Sequence, residues 1–314
     1  MKKYIFGVDL GGTTVKNGIF TLEGELVHKW EIPTRTEEGG KHILSDIAVS
    51  CKAKAEELAY DYEAFLGIGI GIPGSVDKEG NVHSCINLGW GYTEVKKKLQ
   101  ALSGLPVEVA NDADVAALGE MWMGAGKGYS DLVMITLGTG LGGGIIVDGR
   151  LVKGAHGFGG EVGHMRINMH EKVTRCNCGK PGCWELYCSA TGIAREARKA
   201  LRASDMPSVL REIQHITAKD VFDAAKASDA FAIGQVEQFG RRMARGISFI
   251  ANVTDPAIVV IGGGVSKAGE IIIDVTRRYY PHFVYGKQKD VEFVIAQLGN
   301  DAGICGAARL LLQA

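Results

Sequence analysis

Gly138-Thr139-Gly140-Leu141-Gly142-Gly143-Gly144 runs directly into Ile145-Ile146-Val147-Asp148-Gly149, and the behaviour of that second stretch decides the fold. The first stretch contains the spacing Gly-x-Gly-x-x-Gly of a dinucleotide-binding turn. That turn requires a helix to open at once, so that the helix N-terminus meets the pyrophosphate. Here an apolar, β-branched run ends in Asp-Gly, which signals a hairpin. The glycine turn therefore joins two strands, over 132–137 and 144–147, with a third over 150–153. The opening of the chain has the same plan: a strand over 4–8, the turn Asp9-Leu10-Gly11-Gly12-Thr13-Thr14, then strands over 15–22 and 25–32. Two hairpins with glycine turns, far apart in one chain, indicate a duplicated α/β unit rather than short solenoid repeats.

Working outward, a helix is expected over 40–60, and an alternating strand over 66–72 stops at Pro73-Gly74. A strand over 107–110 feeds a helix over 113–122. Polar helices over 193–203 and 218–253, a strand over 257–261, a helix over 266–280, a strand over 291–296 and a closing helix over 302–312 complete the chain. A chain of 314 residues exceeds the size at which single cores stop growing, about 250–300 residues, so two lobes with a cleft are expected. We place the first lobe at 1–118 with 300–314, the closing helix packing back on it, and the second at 119–299.

Composition narrows the function. Lys plus Arg (35) against Asp plus Glu (36) leaves a net charge of -1, too balanced to hold nucleic acid by counterion release. No apolar run approaches a membrane span and the N-terminus lacks the pattern of a signal peptide, so no membrane partner and a cytoplasmic location are expected. In that reducing compartment seven cysteines do not make a disulfide framework.

Three of them, Cys176, Cys178 and Cys183, crowd together with Gly179 and Gly182 permitting a tight reversal. With His164 they make a Cys₃His set for structural Zn²⁺, closed to water. The imidazole nitrogen left over must donate a hydrogen bond to an acceptor, and Glu161 and Glu185 are drawn to the same place. The glycine turns suit phosphate. Gly11 and Gly12 are expected to take positive φ and aim successive N–H groups at one point, helped by Thr13, Thr14 and Lys16, while Asp9 holds Mg²⁺ through water. Gly138, Thr139 and Gly140 form the equivalent turn, and Gly263-Gly264 lets a nucleotide base or ribose approach the backbone. No Walker sequence competes, because Lys127 is followed by Gly128. Asp112, where a strand gives way to a helix, reads by itself first as an N-cap, with a catalytic carboxylate as the alternative.

Asp9-x-Gly11-Gly12-Thr13, Asn111-Asp112, Leu137-Gly138-Thr139-Gly140-x-Gly142-Gly143-Gly144, Glu161-Val162-Gly163-His164 and Cys176-x-Cys178-Gly179-x-x-Gly182-Cys183-x-Glu185 together resemble the ROK family of sugar kinases and related repressors. The resemblance covers essentially the whole chain in order. Ile86-Asn87-Leu88-Gly89-Trp90 and Leu118-Gly119-Glu120-Met121-Trp122 bring it nearest to the glucose kinases of that family. It implies an actin-like (ribonuclease H-like) duplicated fold, with ATP and Mg²⁺ as donor and a transfer to the 6-hydroxyl of D-glucose. It further implies Asp112 as general base, sugar contacts from Gly74, Asn87, Asn111, Asp112, Glu161, His164 and Glu185, and a homodimer, for which the helix ending near Val253 offers apolar positions. Where the family commonly has Glu-Asn-Asp-Ala-Asn, this chain has Ala110-Asn111-Asp112-Ala113-Asp114; the catalytic pair is intact. Kinases of N-acetylmannosamine, N-acetylglucosamine, mannose or fructose share these motifs, and polyphosphate is an alternative donor. A sugar-sensing repressor would carry a helix-turn-helix ahead of the first glycine turn, which here begins at Asp9. An inactive sugar-binding protein would not need both phosphate turns and Asp112.

Overall fold

The computed structural model describes residues 2–313 and contains two five-stranded mixed sheets. The first is built from β1 (Tyr4–Leu10), β2 (Thr14–Thr21), β3 (Leu26–Pro33), β4 (Phe65–Ile72) and β5 (Val107–Asn111), in the order β3-β2-β1-β4-β5. Its first three strands pair antiparallel, while β4 and β5 run parallel to β1. The second contains β6 (Leu132–Leu137), β7 (Leu141–Val147), β8 (Arg150–Leu151), β9 (Ile258–Gly262) and β10 (Glu292–Ile295), in the order β10-β9-β6-β7-β8. Here too the fourth and fifth strands in chain order run parallel to the first. The strand order of one sheet thus repeats in the other.

The chain divides into two units. One holds residues up to Ser130, Gly144–Gly160 and the chain from Gln297 onward; the other holds Asp131–Gly143 and Glu161–Ala296. In the first, the alternation of β4 places Ile68, Ile70 and Ile72 on a fully buried apolar face. The glycines between them serve the opposite face. A Cβ on Gly69 would fall 1.7 Å from Ala307 O, so the closing helix Ala302–Leu310 lies backbone-close on the sheet. Phe6 stacks on Phe65 with ring centroids 4.0 Å apart, at the centre of the apolar layer between the sheet and the helix Ile43–Glu57.

Four elements differ from the sequence reading. The glycine-rich run after Gly140 is strand rather than turn, because β7 begins at Leu141. Gly144 is small for contact, since a Cβ there would meet Ala117 Cβ at 2.5 Å. The helix expected over 218–253 is two, Ala218–Lys226 and Ala230–Thr254. Ser228 takes a φ of +67° between them, and Asp229 accepts from Ala232 N to cap the second. The helix expected from 266 begins as a 3₁₀ turn, Gly264–Ala268, and restarts at Glu270 beyond Gly269, whose φ is +79°. A helix over Val95–Ser103 is additional, burying Val95 and Leu99 beneath a run of lysines.

Candidate active site and metal centre

In the first unit, β1 delivers Asp9 opposite Lys16 on β2. Burial pushes the Asp9 carboxyl above its ordinary value and Lys16 opposes that shift. Among the described residues no group donates a hydrogen bond to this carboxylate, so its oxygens remain available to a hard cation. The following turn is closed by Gly11 N donating to Thr14 O at 3.0 Å. It is anchored from β3 by Thr34, whose N–H donates to Thr13 O at 2.9 Å and whose hydroxyl donates to Gly11 O at 2.8 Å. Gly12 and Thr13 are exposed at its tip. The expected positive φ does not occur: Gly11 and Gly12 are both outside the left-handed region. Glycine is required for space instead, because a Cβ on Gly11 would lie 2.9 Å from Thr14 O.

Asn111 and Asp112 sit at the junction of β5 and the helix Asp112–Met123. The cap is Asn111: its Oδ1 accepts from Ala113 N at 2.8 Å, and its Nδ2 donates to Gly74 O at 2.9 Å. Asp112 is thereby the first helical residue, exposed, sharing the Ala113 N–H through its own Oδ1 at 2.8 Å. The loop beyond Gly74 returns beside it. Burial pushes the Cys85 thiol up; the backbone N–H groups of Leu88 and Asn87 oppose this and the Asp112 carboxylate reinforces it. A Cβ on Gly12 would be 3.7 Å from Asn87 Cβ. Gly12, Gly74, Asn87, Asn111 and Asp112 are thus gathered on one end of the first sheet, outside the carboxyl ends of β1, β4 and β5. That is where open α/β sheets put ligands.

In the second unit the expected metal set is assembled. The ligand atoms of His164, Cys176, Cys178 and Cys183 all lie within 4.8 Å of one another. Zinc at about 2.3 Å from sulfur and about 2.0 Å from nitrogen, in a tetrahedron, separates two sulfurs by about 3.8 Å and sulfur from nitrogen by about 3.5 Å. Cys178 Sγ and Cys183 Sγ are 3.6 Å apart, and Cys176 Sγ is 3.4 Å from His164 Nδ1. The sulfur spacing is far too long for a disulfide, and the four donors fit the ion. Gly179 and Gly182, with φ of +81° and +79°, make the reversal that turns the thiols inward. Nδ1 faces the cysteines, so the nitrogen left over is Nε2, which is 3.8 Å from Glu161 Oε2. Glu185 closes the group, accepting from Cys176 Sγ at 2.8 Å. A Cβ on Gly140 would lie 3.0 Å from Glu185 Oε2, so the carboxylate also borders the second glycine turn.

That turn, Gly138-Thr139-Gly140, again without positive φ, is tied to the helix Ala190–Arg202. Ala190 N donates to Gly138 O at 2.9 Å and the Thr191 hydroxyl to Thr139 O at 2.8 Å. Beside it opens a cavity of about 520 Å³, mostly apolar, walled by Thr139, Thr217, Phe222, Gly264, Val265 and Lys267. Gly263, with a φ of +84°, brings β9 against Leu137 N at 2.6 Å from its would-be Cβ and so shapes the floor. Volume and lining suit a nucleoside. Thr34, Cys85, Thr191, Thr217 and Phe222 were not singled out from sequence; each acts through a contact distant in the chain that no local pattern announces.

The ROK family model matches residues 5–314. The chain belongs to the ROK family. A glucokinase of Halalkalibacterium halodurans is 42% identical, covering 99% of this chain and 96% of its own length. A glucokinase of Thermotoga maritima is 35% identical, over 99% and 98% respectively. Among solved structures, a ROK family glucokinase from Streptomyces griseus in complex with glucose and AMPPNP is similar with a TM-score of 0.77 and 33% identity, covering 99% of this chain and 100% of that one. Among the described residues no helix is long and apolar enough to cross a membrane.

Proposed function

We propose that this ROK protein is an ATP-dependent glucokinase, transferring the γ-phosphoryl group to the 6-hydroxyl of D-glucose. The whole-chain likeness to a glucokinase bound to glucose and an ATP analogue carries the reading, and the junction of β5 with its helix supplies its chemistry. Asn111 holds the cap and the Gly74 carbonyl, leaving Asp112 as the carboxylate that orients the 6-hydroxyl and takes its proton late in the in-line attack. Gly74, Asn87, Asn111, Glu161, His164 and Glu185 are the further residues assigned to the sugar in this reading. Repetition of one strand order in both sheets supports an actin-like duplication, and the glycine turn that each copy carries, 11–14 and 138–140, is assigned to phosphate in this reading. Lys16, Thr13 and Thr14 complete the first turn.

Mg²⁺, when bound, neutralises charge developing on the transferring phosphoryl group, and the unengaged carboxylate of Asp9 is the group that would hold it. Zinc would be held by His164, Cys176, Cys178 and Cys183 and takes no part in the chemistry. Seven free cysteines agree with a reducing, cytoplasmic location. The homodimer is part of the same proposal; Ile233, Phe249 and Val253 are the apolar side chains that the helix Ala230–Thr254 exposes.

A coupled turnover assay across glucose, mannose, fructose, N-acetylmannosamine and N-acetylglucosamine tests the substrate. Glucose is expected to lead in kcat/KM by at least about tenfold, the discrimination that one well-placed hydroxyl contact supplies; a higher value for any other sugar reassigns it. The nucleoside cavity is tested separately by Gly264→Val. Gly264 has an ordinary φ and open space around its would-be Cβ, so the variant should fold with its side chain in the cavity. ATP KM is expected to rise about tenfold with glucose KM unchanged, since overfilling a packed site costs about 1 to 3 kcal/mol. Unchanged ATP KM would move the nucleotide elsewhere.

A further inference from the structure

Asp9 lies against the first turn of the closing helix. A Cβ on Gly303, the second residue of Ala302–Leu310, would sit 2.7 Å from both Cγ and Oδ2 of Asp9 and 3.1 Å from its Cβ. Carbon atoms pack no closer than about 3.5 Å, so a methyl group there must displace something. The helix is seated backbone to backbone on its neighbours, and shifting it would break many close contacts at once. A Cβ on Gly7 of β1 would be 2.0 Å from Ile304 O, and one on Gly69 of β4 would be 1.7 Å from Ala307 O. From the helix Asp112–Met123, a Cβ on Gly119 would be 2.3 Å from Ala302 O, while one on Gly306 would be 1.6 Å from Val115 O. Backbone meets backbone at every one of these contacts, and no side chain is there to yield.

The approach to the helix is fixed as well. Glu120 is fully buried and accepts from Ala125 N at 2.8 Å, Gln297 N at 3.1 Å and Leu298 N at 2.8 Å, while Lys29 pairs with Asp301 at 2.8 Å. The Asp9 side chain, in contrast, turns about two bonds and no hydrogen bond holds it among the described residues. Nor does the helix itself favour glycine at 303, since glycine is the poorest helix former after proline.

We propose that Gly303 is a positioning residue for Asp9: the missing side chain keeps the carboxylate where it serves Mg²⁺, and any larger residue turns it away while leaving the fold intact. The proposal rests on the reading of Asp9 as the magnesium-holding group. Three variants test it, Gly303→Ala, Asp9→Ala and the pair combined, each followed by thermal midpoint and by turnover against free Mg²⁺ at saturating glucose and ATP. Gly303→Ala is expected to raise the Mg²⁺ concentration for half-maximal rate at least about tenfold with glucose KM held, the scale on which metal sites respond to loss of an orienting contact. Asp9→Ala removes the two atoms at 2.7 Å and leaves only its Cβ, 3.1 Å from the new methyl, a few tenths of an ångström for the neighbours to absorb; the pair is therefore expected to melt within about 4 °C of Asp9→Ala, whatever the midpoint of Gly303→Ala alone. Its Mg²⁺ dependence should match that of Asp9→Ala. A normal Mg²⁺ dependence in Gly303→Ala overturns the proposal, as does a midpoint loss in the pair equal to the sum of the singles, or a pair that fails to fold when Asp9→Ala folds. If Asp9→Ala itself keeps the parental Mg²⁺ dependence, the reading of Asp9 is what has failed, and the inference falls with it.

Discussion

Replacing Asp112 with asparagine is expected to lower kcat by about 10² to 10⁴-fold, roughly 3 to 5 kcal/mol of barrier, with glucose KM held within about twofold. The asymmetry follows from what asparagine keeps. It has the shape of aspartate and an oxygen able to accept from Ala113 N as Asp112 Oδ1 does at 2.8 Å, and the helix cap does not depend on it because Asn111 holds that role. A sugar hydroxyl finds the same acceptor, so ground-state binding survives. What is lost is the capacity to take the hydroxyl proton as the oxygen attacks phosphorus, an interaction realised only in the transition state; loss of such an interaction lowers kcat and kcat/KM together. The larger share of the acceleration stays with charge stabilisation around the phosphates, which is why a residue of activity should persist. Steady-state kinetics with the thermal midpoint as control measures this. Turnover near the parental rate would assign the base to another group.

Asn111 also shows where sequence alone stops. Asn and Asp in succession at a strand-to-helix junction offer two candidates for one cap, and only the reach of Asn111 to the Gly74 carbonyl, 37 residues away, settles which serves. The four-donor cluster was legible because its determinants are local. Three of its four ligands span eight residues, and the glycines that bend the loop lie among them. The glycine turns were found in the right places for a wrong reason. Position is encoded by where the apolar strands end, whereas the demand for glycine at Gly11 comes from the backbone oxygen of Thr14, which no pattern of the turn itself reveals. The break after Lys226 escaped notice because Phe222, Ala225, Phe231 and Ala232 continue an apolar rhythm across it. The interruption rests on one left-handed residue, Ser228, and a side-chain cap from Asp229. The alternating glycines of β4 were visible, but the backbone they admit, at Ala307, lies more than two hundred residues downstream.

Removal of zinc should raise glucose KM by about 10 to 100-fold while ATP KM changes by less than about twofold, because only one of the two sites depends on the metal-held segment. In the segment from Glu161 to Glu185, Val162, Ile167 and Trp184 are buried, but the stretch over 168–182 buries no large apolar side chain. Met169 and Val173 are exposed, and its internal contacts are isolated bridges, Arg166 with Cys183 and Arg175 with Pro181, plus backbone bonds such as Ile167 N to Gly182 O at 3.0 Å. On the proposed zinc reading, ligation would hold the stretch between the buried Ile167 and Trp184; structural zinc contributes about 10 to 16 kcal/mol in small domains. Without the ion, the pairs Cys176–His164 at 3.4 Å and Cys178–Cys183 at 3.6 Å are left to weak hydrogen bonds of thiols. His164 then loses the orientation that sends Nε2 toward Glu161, and Glu185 loses its fixed neighbour Cys176. The nucleoside cavity is walled instead by residues near 137–139, 190, 217–223 and 264–268, none of them inside that segment. Chelation under reducing conditions, followed by separate titrations of glucose and an ATP analogue and by the thermal midpoint, reads the two affinities apart. The midpoint should fall with the sugar affinity, and both should return on adding Zn²⁺. Parallel loss of both affinities would mean that the metal supports the whole second unit, and unchanged glucose binding would detach Glu161, His164 and Glu185 from the sugar.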